Sequence, residues 1–184
     1  MISSILIANR GEIAVRVVRA CREMGIRSVV AFSEADRHSL GVRMADDSVC
    51  IGPPSSKESY LNIPNLISAA VLKGCDAVHP GVGFLSENAG FAREVEEAGL
   101  IFIGPKAETI SLLGDKVAAK QTALTHGVPV IPGLEGSVED VEAAQAKVDE
   151  IGYPVIIKAA AGGGGKGMRI VRRREDFAGV LKIA

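Results

Sequence analysis

The sequence predicts an α/β protein in which a parallel sheet is covered by helices on both faces and is followed by a second, smaller module. Short apolar segments rich in β-branched residues alternate with segments whose apolar residues recur at helical spacing. Strands that alternate with helices in this way form parallel sheets that are buried on both faces. The alternation stops after Pro105, and four consecutive glycines lie between two apolar segments near the C-terminal end. These features separate the chain into two parts.

The first part contains five predicted strands with helices between them. The strands are the apolar segments 5–8, 28–32, 48–51, 76–79 and 100–103. Each of the three helices is followed by a glycine that ends it. One helix follows Asn9-Arg10-Gly11 and ends at Gly25, one begins at Asn62-Ile63-Pro64 and ends before Gly74, and one carries Phe91, Val95 and Ala98 and ends at Gly99.

The second part has a different rhythm. Residues 107–113 and 116–126 are predicted helices with no strand between them, which indicates a domain junction. A further helix begins at Ser137, where Ser137 and Asp140 resemble a capping box. Its apolar face consists of Val141, Ala144, Val148 and Ile151. A last helix is predicted at about residues 175–181, after the glycine segment.

Composition and charge exclude several classes of function. The chain has 184 residues, of which 47% are hydrophobic, and a formal net charge of −1 with the 21 basic residues scattered along it. The hydrophobic fraction is ample for a packed core. The scattered basic residues do not form the positive patch of a protein that binds nucleic acid or an anionic membrane. The first residues enter a strand directly, and no apolar stretch approaches the ~20 residues that span a bilayer. We therefore expect a soluble, cytoplasmic protein.

The cysteines and histidines predict neither a disulfide framework nor a metal site. Cys21, Cys50 and Cys75 are odd in number, widely spaced and set in apolar segments, so we expect buried, reduced thiols. None of the three histidines lies at a zinc-ligand spacing from a cysteine.

The glycine run is the strongest functional signal in the chain. It consists of Gly162, Gly163, Gly164 and Gly165. Each glycine held in an ordered loop costs roughly 0.5–1 kcal/mol relative to alanine, so four in a row indicate that bare backbone is needed there. Unhindered N–H groups can bind phosphate oxygens, and Lys158 and Lys166 lie on either side of the run. The segment predicts a nucleotide phosphate site in a strand, loop, strand setting.

Familiar nucleotide motifs do not account for this segment. The dinucleotide fingerprint requires a helix after the glycines, whereas residues 168–171 resemble a strand. The P-loop requires Ser or Thr after its lysine, but Gly167 follows Lys166. Protein kinases place their lysine after the glycine loop, and Lys158 comes before it. The alternative of a flexible glycine linker is disfavoured, because linkers usually mix glycine with polar residues.

A second cation is predicted at the start of a helix. Lys116 opposes the helix dipole there, so helix stability does not explain it. A nearby phosphate would explain a lysine at this position. This predicts that Lys116 and Lys158 converge on one polyphosphate. The alternative is that Lys116 is a solvated surface residue.

Two polar loops follow predicted strands, at the edge where open α/β sheets bind ligands. They are residues 9–12 and 79–88. In the second loop Ser86 is a good N-cap and Glu87 favours a helix N-terminus, so structural and functional interpretations of Ser86, Glu87 and Asn88 both stay open. We interpret His79 as a hydrogen-bonded structural residue rather than a catalytic one.

Several blocks together are recognisable. They are residues 7–14, Ala45-Asp46, residues 59–62, residues 79–88 with the exception of position 82, residues 102–105 and the segment around Lys158. Over essentially its whole length the chain resembles the N-terminal part of biotin carboxylase, the ATP-grasp component of acetyl-CoA, propionyl-CoA and pyruvate carboxylases. The resemblance implies a doubly wound, Rossmann-like pre-ATP-grasp domain at 1–105, a helical linker at 106–130, and a small α+β ATP-grasp lid at 131–184 that is truncated.

The resemblance also implies roles for individual residues. Those expected at ATP are Lys116, Lys158, the four glycines as a flap over the phosphates, and Met168 toward the adenine. Val82 and Gly83 are expected near biotin, although Val82 stands where the family commonly has tyrosine. Ala161 and Lys166 slightly alter the usual glycine flap. The acidic magnesium ligands, the bicarbonate site and the arginine that steadies the biotin enolate belong to a C-terminal domain, so no catalytic residue and no metal ligand is expected in this chain.

The family reaction uses ATP and Mg²⁺ to activate bicarbonate as carboxyphosphate and then carboxylates biotin on a carrier protein, for a carboxyltransferase to use. The resemblance implies a homodimer, with Arg16, Arg19 and Glu23 as interface candidates. It also allows the mitochondrial matrix, if a transit peptide has been removed. Fatty acid biosynthesis is the expected context for an acetyl-CoA carboxylase.

We expect the chain alone to be inactive as an incomplete enzyme. Another ATP-grasp ligase, such as the carbamoyl-phosphate synthetase large chain, and a non-catalytic dimerising or nucleotide-binding module are the alternatives.

Overall fold

A computed structural model describes residues 2–134, 138, 140–158 and 168–183. The chain forms two compact units, Met1–Asp115 and Lys116–Ala184. The first unit has two apolar cores and the second has one, and each unit is described by itself below.

The first unit is built on a parallel sheet of five strands. The strands are β1 (Ser4–Ile7), β2 (Arg27–Ser33), β3 (Asp47–Gly52), β4 (Ala77–His79) and β5 (Ile101–Phe102). Their order is β3-β2-β1-β4-β5, and every neighbouring pair is parallel. The chain therefore starts at the centre of the sheet, builds one side and returns to build the other. This doubly wound topology confirms the predicted fold class. In sheets of this kind ligands bind where the strand order reverses, which here is at the carboxyl ends of β1 and β4.

Helices cover both faces of this sheet. They are α1 (Gly11–Glu23), α2 (Leu40–Met44), α3 (Ile63–Leu72), α4 (Ala89–Glu97) and α5 (Ala107–Gly114). Leu6 of β1 points into one apolar core with residues of α3 and α4. Its neighbours Ile5 and Ile7 point into the other core, with residues of α1. The alternation follows from the pleat of the strand, which sends successive side chains to opposite faces.

In its described residues the second unit contains three α-helices and a hairpin. The helices are α6 (Lys116–Thr125), α7 (Val141–Ile151) and α8 (Phe177–Leu181), and the antiparallel hairpin pairs β6 (Val155–Lys158) with β7 (Met168–Val171). Ala144 and Val148 of α7, Val171 of β7 and Phe177 of α8 form the buried core. Within the described parts of the chain, no helix is long and apolar enough to cross a membrane.

Some predicted helix starts are wrong by a few residues. The side chain of Asp140 caps α7 by accepting hydrogen bonds from the backbone N–H groups of Glu142 and Ala143, and the helix begins at Val141, while Ser137 lies outside the described residues. The cap of α4 is Asn88, which accepts a hydrogen bond from Phe91 N at 2.8 Å, and not Ser86. Asp and Asn are caps as good as Ser, so sequence alone left the position ambiguous.

Two predictions of burial are also wrong. Cys50 is exposed, because it lies on β3 at the edge of the sheet, whereas Cys21 and Cys75 are buried as expected. Ile151, predicted to lie on the apolar face of α7, is exposed at the last residue of that helix.

Candidate functional site

Asn9 joins the ends of two neighbouring strands. It directly follows β1, and the loop of residues 80–84 follows β4, so the parallel pairing of the strands brings both to the same edge. The side chain of Asn9 is buried, with 2% of the residue exposed. Its Nδ2 donates hydrogen bonds to the carbonyl oxygens of Pro80 at 2.8 Å and Val82 at 2.9 Å, and its Oδ1 accepts one from Arg10 N at 2.9 Å.

Gly81 packs directly against Asn9. A Cβ at Gly81 would lie 2.6 Å from Asn9 Nδ2 and 2.7 Å from Ile13 Cγ2, and the residue has a φ of +69° that L side chains rarely adopt. Gly81 N donates a hydrogen bond to His79 Nδ1 at 2.9 Å. Burial lowers the pKa of His79, which favours the neutral ring that this bond requires. His79 is thus hydrogen-bonded within the loop, in agreement with its structural interpretation.

An aromatic pair holds the other end of the same loop. The rings of Tyr60 and Phe84 stack with centroids 4.9 Å apart, and Phe84 has a φ of +45°. The guanidinium carbon of Arg10 lies 5.6 Å from the Tyr60 centroid and 5.5 Å from that of Phe84. A cation at this distance is attracted by the ring faces.

Polar contacts tie this aromatic pair to the end of β2. Tyr60 Oη donates a hydrogen bond to Asp36 Oδ2 at 2.8 Å and accepts one from Ser33 N at 3.1 Å. Asp36 Oδ2 also accepts a hydrogen bond from Ser33 Oγ at 2.8 Å and lies 3.6 Å from Arg10 Nη1. Burial, with the neighbouring Asp36 carboxylate, raises the pKa of Tyr60 to about 12, so the hydroxyl keeps its proton. The polar groups of Tyr60, Asp36 and Ser33 thus find their hydrogen-bond partners within this cluster.

The two residues predicted to lie near biotin are presented outward between these anchors. Val82 is 71% exposed, and a Cβ built on Gly83 would meet no atom within 4 Å. The turn thus offers open backbone and one apolar side chain to solvent. Their contact with biotin stays a prediction.

The predicted nucleotide residues lie on the second unit. Lys158 pairs with Met168 across the hairpin, and Ile156 pairs with Ile170. All four side chains are exposed and lie on one face, since Val155, Ile157 and Val171 occupy the opposite, core-facing side. The predicted flap residues Gly162, Gly163, Gly164 and Gly165 lie outside the described residues. Lys116 is exposed at the first residue of α6, and its convergence with Lys158 stays a prediction.

The remaining predicted residues are on helix α1. Arg16, Arg19 and Glu23 are exposed and follow each other at spacings of three and four, so they share one face of the helix. Their role at a dimer interface stays a prediction. Among the described residues, no group of three or more His, Cys, Asp or Glu side chains is arranged to hold a metal ion.

Sequence reasoning found the two loops but missed the cluster of Tyr60, Phe84 and Asp36. One feature of the sequence could have indicated this cluster. Tyr60 is an aromatic residue in a polar connection before a helix, where a side chain is normally exposed to solvent. Arg10 was noted only as part of a polar loop, because its aromatic partners are 50 and 74 positions away in the sequence.

Comparisons with known proteins show which family the chain belongs to. Residues 1–110 match the family model described as the N-terminal domain of biotin carboxylase. The chain belongs to the biotin carboxylase family. Residues 115–184 match the model described as the ATP binding domain of the carbamoyl-phosphate synthase L chain. The predicted resemblance to biotin carboxylase is therefore confirmed.

Similar proteins match this chain over nearly its whole length. Biotin carboxylase 1 of Bacillus subtilis is 56% identical over 183 residues, which are 100% of this chain and 41% of the relative. The structure of a biotin carboxylase complex with β-γ-ATP from Campylobacter jejuni is 51% identical with a TM-score of 0.89, over 98% of this chain and 40% of that one. The chain thus spans about two fifths of the length of these relatives.

A third similar protein was solved with several ligands. The biotin carboxylase domain dimer of the 2-oxoglutarate carboxylase from Hydrogenobacter thermophilus, in complex with MgADP, ADP and bicarbonate, is 47% identical with a TM-score of 0.85. The match covers 97% of this chain and 39% of that one.

Proposed function

We propose that the complete protein is an ATP-dependent biotin carboxylase and that this chain supplies its N-terminal domain and part of its ATP-grasp lid. The observation that carries the proposal is the 56% identity to a biotin carboxylase along the whole chain. In the proposed reaction bicarbonate attacks the γ-phosphorus of ATP, which releases ADP and forms carboxyphosphate. The carboxyl group then passes to N1 of biotin, which loses its proton, and phosphate leaves.

The exposed face of the hairpin supports the assignment of a nucleotide site. Ile156, Met168 and Ile170 offer an apolar surface suited to a base, and Lys158 adds a positive charge suited to phosphate. We propose that Lys116 contributes a second cation and that the four glycines cover the phosphates with backbone N–H groups. We assign none of the described residues to Mg²⁺, because the resemblance places its acidic ligands in the C-terminal domain.

The turn at the edge of the parallel sheet supports a biotin site. It lies at the carboxyl ends of β1 and β4, where doubly wound sheets bind ligands. We propose that Gly83 lies against the ureido ring and that Val82 makes an apolar contact in place of the tyrosine expected there.

The proposal extends to domains and partners. We propose the boundaries 1–105, 106–130 and 131–184 for the sheet domain, the linker and the lid. A biotin carrier protein would present the substrate and a carboxyltransferase would receive the carboxyl group. The similar protein from Hydrogenobacter thermophilus is a dimer, and we propose that this protein also dimerises, with Arg16, Arg19 and Glu23 at the interface.

The test is ATP hydrolysis by the protein extended past Ala184. We expect hydrolysis to require bicarbonate and to increase with free biotin. Hydrolysis that requires glutamine or ammonia would instead identify the carbamoyl-phosphate synthetase type of ligase. If the extended protein hydrolyses no ATP under either condition, the non-catalytic alternative is favoured.

A matched pair of lysine variants tests the nucleotide site. Lys158→Gln should raise the Kd for ATP by about 10- to 150-fold, since a charge-assisted contact to phosphate is worth about 1.5–3 kcal/mol. Lys147→Gln makes the same change at an exposed position on α7 and should leave the Kd unchanged. An unchanged Kd in Lys116→Gln would remove Lys116 from the site.

A further inference from the structure

The turn that carries Val82 and Gly83 has a backbone path that needs support from outside. Gly81, Gly83 and Phe84 have φ values of +69°, +73° and +45°. Three left-handed residues among four successive ones, one of them not glycine, are not held by local preference, because a non-glycine residue in this region costs about 1–3 kcal/mol. Contacts with other parts of the chain must hold the path.

Asn9 supplies the first of these contacts, and its chemistry is specific. Both Nδ2 hydrogens are donated to carbonyl oxygens of the turn, those of Pro80 and Val82, from a buried position. Aspartate has the same shape but no donor, and it would place a carboxylate oxygen 2.8–2.9 Å from two carbonyl oxygens. Asn9 therefore determines where the carbonyl group of Val82 points.

Arg10 supplies the second contact at the other end of the turn. Its guanidinium lies over Phe84 and Tyr60 and is 3.6 Å from Asp36, while half of its side chain is open to solvent. A planar guanidinium can stack on rings in a way that the ammonium of lysine cannot. Since Phe84 directly follows Gly83, holding the Phe84 ring also sets the position of Gly83.

We propose that Asn9 and Arg10 are positioning residues for biotin, because together they hold both ends of the 80–84 turn so that Val82 and Gly83 meet the ring of the substrate. This inference rests on the proposed function. It assigns the two residues to the binding of biotin rather than to that of ATP.

The test is steady-state kinetics of the extended protein with free biotin. We expect Asn9→Asp to raise the KM for biotin by about tenfold, as loss of the buried hydrogen bonds predicts, while the KM for ATP and the kcat at saturating biotin change by less than about twofold. Asn65→Asp is the matched control. It removes one amide hydrogen bond, from Asn65 Nδ2 to Ile51 O at 2.9 Å, and should leave the KM for biotin unchanged.

An unchanged KM for biotin in Asn9→Asp would overturn the proposal. So would an equal rise in the KM for ATP or a proportional loss of kcat, because general damage to the fold affects all three. If the unaltered extended protein does not use biotin at all, the proposed function fails instead.

Arg10→Ala and Arg10→Lys decide the case if Asn9→Asp does not fold, since the side chain of Arg10 is 49% exposed. We expect both variants to raise the KM for biotin selectively, and Arg10→Lys to have the smaller effect because it keeps the charge beside Asp36. A KM for biotin equal to that of the unaltered protein in Arg10→Ala would overturn the proposal.

Discussion

The ring of Tyr60 stacks on the ring of Phe84, with centroids 4.9 Å apart and planes 11° apart. Tyr60 lies between β3 and α3, and Phe84 lies in the turn after β4. The stack therefore joins segments on the two sides of the central strand β1. Arg10, which follows β1, covers both rings.

The hydroxyl of Tyr60 should stabilise the first unit. Tyr60→Phe keeps the ring but removes the acceptor of the buried Ser33 N–H and the donor to Asp36. We expect the free energy of unfolding to fall by about 1–3 kcal/mol, as is usual when a buried polar group loses its partner. Urea denaturation followed by far-UV circular dichroism measures it. Tyr153→Phe is the control, because the hydroxyl of Tyr153 donates its hydrogen bond to the exposed Asp149. Its removal should lower the free energy of unfolding by less. Equal losses in both variants would contradict this account.

Gly81 should tolerate alanine less well than another left-handed glycine. In Gly74→Ala the only cost is the φ of +61°, because a Cβ there meets no atom within 4 Å. In Gly81→Ala the Cβ also collides with Asn9 and Ile13. We expect losses in the free energy of unfolding of about 1–2 kcal/mol for Gly74→Ala and about 2–5 kcal/mol for Gly81→Ala. Chemical denaturation of the two variants compares them directly, and a Gly81→Ala protein as stable as Gly74→Ala would show that the turn can move away from Asn9.

His79 should resist protonation in the folded protein. Burial lowers its pKa, and its Nδ1 accepts the hydrogen bond from Gly81 N. The unfolded chain, with a histidine pKa of about 6.5, then binds more protons than the folded chain just below that pH. Above about pH 6.5 the ionisation of His79 therefore leaves the free energy of unfolding unchanged. As the pH falls through this value toward the folded pKa, the free energy of unfolding decreases.

A ¹⁵N NMR titration measures the pKa and tautomer of His79. We expect a neutral ring protonated on Nε2 and a titration midpoint below the ordinary value. In His79→Gln the free energy of unfolding should depend less on pH in the same range. A midpoint at or above 6.5 would refute the expectation.

The three thiols should differ sharply in reactivity. Cys50 is exposed, whereas Cys21 and Cys75 are buried, and burial raises the pKa of both buried thiols. With a disulfide reagent at about pH 8, near the ordinary thiol pKa, we expect one thiol to react rapidly in the native chain and all three in denaturant. Cys50→Ser should abolish the rapid phase. Rapid reaction of a second thiol in the native chain would contradict the burial of Cys21 and Cys75.

Local patterns predicted the sheet and most of the helices. The apolar periodicity around Val17 and Cys21 or around Phe91 and Val95 reflects burial of one helix face, and burial leaves a direct mark on the sequence. Helix α2 was missed because its five residues are too few to show a period. The exposure of Cys50 was missed because a strand at the edge of a sheet is as apolar in sequence as one at its centre.

The sequence by itself determined the doubly wound fold and the resemblance to biotin carboxylase, because both depend on residues that are close together along the chain or on ordered blocks. The phosphate chemistry expected of the glycine run stays a prediction. Only the tertiary structure decided that Asn9 bonds Pro80 and Val82 and that Arg10 covers Tyr60 and Phe84. The physical reason is the order of the strands. The pairing of β1 with both β2 and β4 brings together loops that lie up to 74 residues apart, and no local pattern records which strands are neighbours.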